Sequence, residues 1–259
     1  MPVQDAKTLA PQRWEQLRAL IRERGVIRLE DLCRQLRVSA ATVRRDLDQL
    51  EQGGAIRRVH GGAVSIESRL DEPVFADKTS LAAREKRRIA EAALALVEPG
   101  DTIYLDGGST VLELARLLRD RTNLTVVTSS LHAATELSGR GPRLILIGGV
   151  LRRLSQAMVG PLTRLVLQEL HLDKAFMGTI GFALKEGLTT TDPSEAFTKG
   201  IVMGRARQVI LLADSSKAGK VSFANAGRWE DIDVLITDRK VDKPLSRELL
   251  KRGVRVVKT

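Results

Sequence analysis

Apolar positions in the first sixty residues recur at intervals of three and four. From Pro11, Leu17, Leu20 and Ile21 line one side of a predicted helix that Gly25 stops. Leu29, Leu32, Cys33 and Leu36 repeat the pattern, and Ser39 is a good N-cap for a third helix starting at Ala40. On that helix Val43, Leu47 and Leu50 share a narrow arc, which turns Ala41, Arg44, Arg45 and Asp48 the other way. After Gly53 and Gly54, AIRRV and AVSI read as two short strands around HGG, a hairpin or wing. The following stretch, ESRLDEPVFADKTSLAAREKRR, has little periodicity and contains Pro73. It predicts a linker over 67–84, between a first domain over 1–66 and a second over 85–259. Beyond a helix-like EKRRIAEAALALV, ended by Pro99 and Gly100, the period changes. The runs TIYLD, LTVVT, RLILIG, KAFMG, QVILLA, DVLIT and VRVV alternate with helix-like segments, which predicts an α/β domain with a mainly parallel sheet.

Composition sharpens this picture in two places. The 259 residues carry a formal net charge of +10, and the excess is about twice as dense per residue over 1–64 as over the rest. That distribution suggests a polyanionic partner for the first domain, although a basic solubilised face would give the same excess. The apolar fraction of 43% suits a soluble protein with a real core. The N-terminal MPVQDAKTLAPQR has no apolar leader, and the longest apolar stretches are far short of a membrane span. The single cysteine, Cys33, sits at a helix-like apolar position and reads as packing, which fits a reducing cytoplasm. No repeat, cofactor motif or metal-ligand spacing is present, and His132 and His171 read as surface or packing residues.

Three helices in barely forty residues, the last capped by Ser39 and exposing arginines, meet the requirements of a helix-turn-helix that enters the major groove N-terminus first. Arginine can fork onto guanine O6 and N7 or neutralise phosphate. Ser39, Ala41, Thr42, Arg44 and Arg45 on the helix, with Arg57, Arg58 and His60 in the wing, are the candidate DNA contacts. The bland alternative is a solvated helix and a basic turn. Arg13, Leu17, Ile21, Ser39, Thr42, Val43, Arg44, Arg45, Asp46 and Leu47, followed by GGAIRRVHGGAV, closely resemble the N-terminal signature of the deoxyribose-operon repressor (DeoR) family of bacterial transcription regulators. The resemblance implies a winged helix-turn-helix that binds double-stranded operator DNA, and a dimer or tetramer is expected because two such modules on paired half-sites multiply affinity and match operator symmetry.

In the second domain, IYLDGGSTVLELARLL runs a strand into a Gly-Gly-Ser-Thr turn and a helix, so backbone N–H groups and two hydroxyls of Gly107, Gly108, Ser109 and Thr110 converge on an anion site. Other strand ends add Thr128, Ser129 and Ser130, then Gly148, Gly149 and Arg152, then Gly178 and Thr179, then Ser215, Ser216 and Lys217. In a parallel sheet these ends share one edge, where ligands bind, and small polar groups with a lysine suit a phosphorylated sugar. The family resemblance continues through EKRRIA, DGGST, GPL, GLTT and ADSSKAG. It implies an effector domain resembling ribose-5-phosphate isomerase and glucosamine-6-phosphate deaminase, with Asp106, the Gly-Gly-Ser-Thr and Thr128 turns, Arg152, Glu195, Lys199 and Lys217 at the effector site. Glu195 and Lys199 can equally be an ion pair on one helix face. Val111 and Ile180 stand where the family commonly has polar residues, which implies fewer or differently placed polar contacts to the ligand. An isomerase would need a positioned carboxylate base. The acidic cluster that related enzymes carry is missing from FMGTIGFALKEG, which leaves Asp106, Asp192 and Glu195 as possible bases. A DNA-packaging role does not account for so large a ligand-ready domain. The reading is therefore a repressor of carbohydrate catabolism controlled by a sugar phosphate, and not an enzyme.

Overall fold

The computed structural model describes residues 10–24, 26–52, 56–59, 62–65, 72, 75–139 and 141–259. The chain divides into two units, Met1–Asp71 and Glu72–Thr259. In the first, helices α1 (Ala10–Arg24), α2 (Leu29–Leu36) and α3 (Ala40–Gln52) accompany strands β1 (Val26–Arg28), β2 (Ile56–Val59) and β3 (Gly62–Ser65). The arc read from periodicity is the buried one: Leu17, Ile21, Leu32, Val43, Leu47 and Leu50 pack with Ile27, Ile56 and Ala63. Arg37 takes a left-handed conformation (φ 51°) at the end of α2, so only three residues separate α2 from α3. Strand β1 was not legible in the sequence. It pairs antiparallel with β3, and β3 with β2, giving a three-stranded wing sheet. Its three residues are too few to show a period. A Cβ at Gly62 would lie 2.2 Å from the Ile27 carbonyl oxygen, so the close approach of β1 to β3 requires glycine there.

The second unit begins earlier than the predicted boundary. Within the stretch read as a linker, helix α4 (Phe75–Ser80) places Phe75 in the core and buries Lys78. A six-residue helix that buries one aromatic ring and one lysine has no run of apolar positions to show in the sequence. Pro73 of that predicted linker lies outside the described residues. After α5 (Ala83–Leu94) come β4 (Thr102–Leu105), α6 (Ser109–Leu117), β5 (Thr125–Thr128), α7 (Leu131–Leu137) and β6 (Arg143–Leu146). A hairpin, β7 (Val150–Arg152) with β8 (Ala157–Val159), leads to α8 (Arg164–Leu167) and β9 (Leu172–Met177). Strands β10 (Gly181–Ala183) and β11 (Gly187–Thr190), helix α9 (Pro193–Arg205) and strands β12 (Ala206–Leu212), β13 (Ala224–Gly227) and β14 (Val234–Thr237) follow. Helix α10 (Lys243–Lys251) and strand β15 (Arg255–Lys258) complete the unit.

All seven apolar runs form one parallel sheet, in the order β15-β14-β12-β9-β4-β5-β6. Both faces are covered, which is why the strands read as nearly continuous apolar runs. Ile103, Leu105, Ile210 and Leu212 point to the face packed by α5, α6 and α7. Their neighbours Tyr104, Val209 and Leu211 point to the face shared with Val202 and Met203 of α9, Leu249 of α10 and Trp229. A small antiparallel sheet, β10-β11-β13, sits beside the main one and was not anticipated. From β4 the chain builds outward through β5 and β6, then returns to the other side of β4 as β9 and builds the opposite way. The switch of direction falls between β4 and β9.

Candidate functional site

In the first unit the predicted contact residues are set out along α3. Ser39 Oγ accepts from the Thr42 N–H at 3.2 Å and lies 2.9 Å from the Thr42 hydroxyl, fixing the start of the helix. Ser39, Ala41, Arg44 and Arg45 are exposed, and Thr42 is half-buried. Among the described residues, no carboxylate pairs with Arg44 or Arg45. The helix is anchored from behind by Asp46, which accepts from Arg13 at 2.5 and 3.0 Å and from the Trp14 indole at 2.8 Å. Arg58 pairs with Asp48 of α3, and its backbone N–H donates to Glu51 at 2.7 Å. It therefore ties β2 to α3. Arg57 lies on β2, but its side chain and all of His60 are outside the described residues.

In the second unit a cleft opens at the switch point, at the C-terminal ends of β4, β9 and β12. It encloses about 480 Å³, including its open mouth. Asp106, Gly107 and Gly108 carry the chain from β4 into α6, whose N-terminus no side chain caps. A Cβ on Gly107 would fall 2.9 Å from that of Ala157, so this turn has no room for a side chain. Gly107, Gly108, Ser109 and Thr110 line the cleft with Gly178, Thr179, Glu195, Lys199 and Lys217. The Thr179 hydroxyl donates to the carbonyls of Gly181 (2.8 Å) and Thr189 (3.0 Å). Ile180, Leu212 and Ala213 supply apolar wall.

Lys199 is buried and held three ways: it pairs with Asp106, donates to the Gly178 carbonyl at 3.0 Å, and lies 3.7 Å from Glu195. Asp106 also accepts from the Gly178 N–H at 2.9 Å, binding the ends of β4 and β9 together. Burial works to lower the Lys199 pKa, but Asp106 and Glu195 outweigh it and hold the ammonium above its ordinary value. Burial raises the Glu195 carboxyl, against the opposing pull of Lys199. Lys217, on the turn that Asp214 caps through the Ser216 N–H at 3.0 Å, is pulled below the ordinary lysine value by burial, against Asp214.

Several expected residues stand elsewhere. The Thr128 hydroxyl donates to the Leu105 carbonyl at 2.7 Å, Ser129 pairs with the Tyr104 hydroxyl at 2.8 Å, and Ser130 caps α7 through the Ala133 N–H at 3.3 Å. These hydroxyls are taken up in holding β5 to β4 and starting α7, and they do not line the cleft. Gly148 and Gly149 follow the edge strand β6 and are also absent from its lining. Arg152 lies in an ion network: 2.6 Å from Glu72, 3.4 Å from Asp192 and 3.4 Å from Glu195. The sequence reading missed Lys78 and Asp214 in the lining and Glu72 behind it. It also missed Lys86, whose ammonium donates to the Lys78 carbonyl and whose pKa burial lowers to about 8. His132 stacks on Phe75 at 4.0 Å, and His171 is exposed. Among the described residues no group of three His, Cys, Asp or Glu side chains could hold a metal ion, and no helix is long and apolar enough to cross a membrane.

A model of the DeoR-like helix-turn-helix domain matches residues 13–69, and a model of the DeoR C-terminal sensor domain matches residues 81–239. The chain belongs to the DeoR family. Related DeoR-type proteins span nearly its whole length. The HTH-type transcriptional regulator GolR of Listeria innocua is 37% identical, over 92% of this chain and 94% of that protein. GlpR of Haloferax volcanii is 37% identical over 88% and 90%, and the lactose phosphotransferase system repressor of Streptococcus mutans is 38% identical over 91% and 95%. A solved D-ribose-5-phosphate isomerase in complex with phospho-erythronic acid aligns over 52% of this chain and 54% of its own, at 19% identity and a TM-score of 0.40, too distant to bear on function. The chain is thus a DeoR-family DNA-binding transcriptional regulator with a C-terminal sensor domain, and not an enzyme.

Proposed function

We propose that this regulator is a repressor of a carbohydrate-catabolism operon whose operator binding is controlled by a phosphorylated sugar or sugar derivative. The observation that carries the reading is the cleft itself, where Lys78, Lys199 and Lys217 converge with the uncapped start of α6. Free backbone N–H groups at a helix start and nearby ammonium groups favour a compact anion. Glu195 and the Ser109 and Thr110 hydroxyls offer partners for sugar hydroxyls, and the wall of Ile180, Leu212 and Ala213 suits a sugar's C–H face. The names of two relatives agree: the Streptococcus mutans lactose phosphotransferase system repressor and a putative aga operon transcriptional repressor of Escherichia coli O157:H7.

At the other end of the chain, Ser39, Ala41, Thr42, Arg44 and Arg45 meet the major groove, while Arg57, Arg58 and His60 are the wing's candidates for the DNA backbone or the minor groove, Arg58 from its pair with Asp48. A cytoplasmic homodimer or homotetramer presents two such modules to paired half-sites, matching operator symmetry. The effector shifts operator affinity because it binds one of the protein's two arrangements more tightly. Thermal melting with a panel of sugar phosphates and their unphosphorylated parents tests the reading. At least one phosphate is expected to raise the melting temperature while its parent sugar does not. Equal shifts from both would remove the anion site, and isomerised or deaminated product seen by NMR would contradict the regulator without turnover.

A further inference from the structure

Lys78 belongs to two environments at once. Its ammonium lies 2.5 Å from Glu72 Oε1, and the same side chain lines the cleft beside Lys199 and Lys217. Both partners are buried, Lys78 with 8% of its side chain exposed and Glu72 with none. The Phe75 ring, 5.8 Å from the ammonium, and the Lys86 bond to the Lys78 carbonyl hold α4 in place. The second oxygen of Glu72 accepts from Arg152 and from the Thr191 hydroxyl, each at 2.6 Å. Glu72 is also the first residue of the second unit, directly after Asp71, the last of the first. Its carboxylate thus ties the first residue of that unit to Lys78, Arg152 and Thr191.

We propose that Lys78 is an effector-contacting residue for which Glu72 competes, so that the ligand's anionic group and the Glu72 carboxylate engage its ammonium at each other's expense. This rests on the sugar-phosphate reading above. An ammonium is a compact point charge with three donors, and in a buried site one such charge cannot fully compensate two anions. An anion beside Lys199, Lys217 and the start of α6 draws Lys78 toward itself and loosens its hold on Glu72. Linkage makes the effect reciprocal: whatever frees Lys78 from Glu72 tightens the ligand by the same factor. Occupancy is thereby reported at the residue that follows the DNA-binding unit. The competitor is a full anion: burial alone would raise the Glu72 pKa, but Arg152, Lys78 and Thr191 bring it down to about 2.

The test is isothermal titration of the full-length protein with inorganic phosphate, using wild type, Glu72→Gln, Lys78→Met and the double variant, each first shown to be folded by its melting curve. Glu72→Gln is expected to bind phosphate about fivefold or more tightly than wild type, and Lys78→Met roughly tenfold more weakly. In the Lys78→Met background, Glu72→Gln is expected to change nothing, because the shared ammonium is gone. If tightening persists there, Glu72 acts only as a through-space charge and the competition is overturned. An unchanged affinity in Glu72→Gln overturns it too. Where Glu72→Gln does not fold, Glu72→Asp keeps the charge and shortens its reach by one methylene, with tightening again expected and its absence again decisive against. Phosphate binding that Lys217→Ala abolishes but Glu72→Gln leaves alone preserves the sensor reading and rejects this one. A wild-type protein that binds no phosphate rejects both.

Discussion

Replacing Lys199 by Met keeps most of the side chain's apolar stem and removes only the charge, so it isolates what the ammonium does. In the wild type that ammonium faces Asp106 and Glu195, and all three residues are no more than 5% exposed. Without it two buried carboxylates remain side by side, and the Gly178 carbonyl loses its lysine donor. Breaking one partner out of a buried ionic cluster costs roughly 3–5 kcal/mol. For a unit of this size, with about 2–4 °C of melting temperature per kcal/mol, the loss is roughly 6–20 °C. The penalty depends on pH with a definite sign. Glu195 already has a raised pKa from burial, and removing Lys199, which lowers it, raises it further. A carboxyl whose folded pKa exceeds its unfolded one penalises the folded state above the folded pKa, and the penalty fades as pH falls through it. Melting at about pH 7.5 and about pH 5 is therefore expected to show a deficit that shrinks at the lower pH. Adding Asp106→Asn should recover part of it, because one of the stranded charges is gone. A deficit below about 1 kcal/mol, or one indifferent to pH, would refute the reasoning.

The remaining expectations are local. Arg45→Ala should weaken operator binding by about 1–3 kcal/mol and relax base preference at one position, read from gel shifts on operator and scrambled DNA; equal weakening on both would make it a phosphate contact. Asp46→Ala removes the acceptor shared by Arg13 and Trp14 and should lower the unfolding free energy of the first unit by roughly 2–4 kcal/mol in a denaturant titration, whereas a loss within about 0.5 kcal/mol would show that α1 and α3 are held by apolar packing alone. Glu72, with its pKa lowered from 4.5 to about 2, contributes stability that is present above the higher value and lost as pH falls through the lower. Acid unfolding of Glu72→Gln should therefore be flatter than wild type across that window, and identical acid limbs would contradict the pairing.

The seven parallel strands were legible because a sheet buried on both faces demands apolar residues without interruption, and TIYL, QVILL and VLIT supply them. Helix α3 was legible because Val43, Leu47 and Leu50 set a clear face against Arg44 and Arg45. The Gly-Gly-Ser-Thr turn showed itself through small residues that the close approach of Gly107 to Ala157 requires. The rest lay in contacts between segments far apart in the chain. Nothing local marks Glu72, whose partners Arg152 and Thr191 are 80 and 119 residues away. Lys78 sits in a stretch whose weak periodicity resembles a linker, and only the packing of α4 onto the core places it at the cleft. The hydroxyls of Thr128 and Ser130 bond elsewhere, outside the cleft lining, because strand-end hydroxyls serve helix caps and strand links as readily as ligands.

The most direct measurement of the central claim is fluorescence anisotropy of the full-length protein on DNA from the promoter beside its own gene, with and without sugar phosphates, for wild type and Lys217→Ala. Lys217 lines the cleft on a polar turn and contributes little to the core, so the variant should fold and bind DNA like wild type. Wild-type operator affinity is expected to shift about tenfold or more with at least one sugar phosphate and not with its unphosphorylated parent, while Lys217→Ala shows no shift at the same concentration. A folded Lys217→Ala protein that binds the DNA and still responds at the wild-type effector concentration would contradict the site.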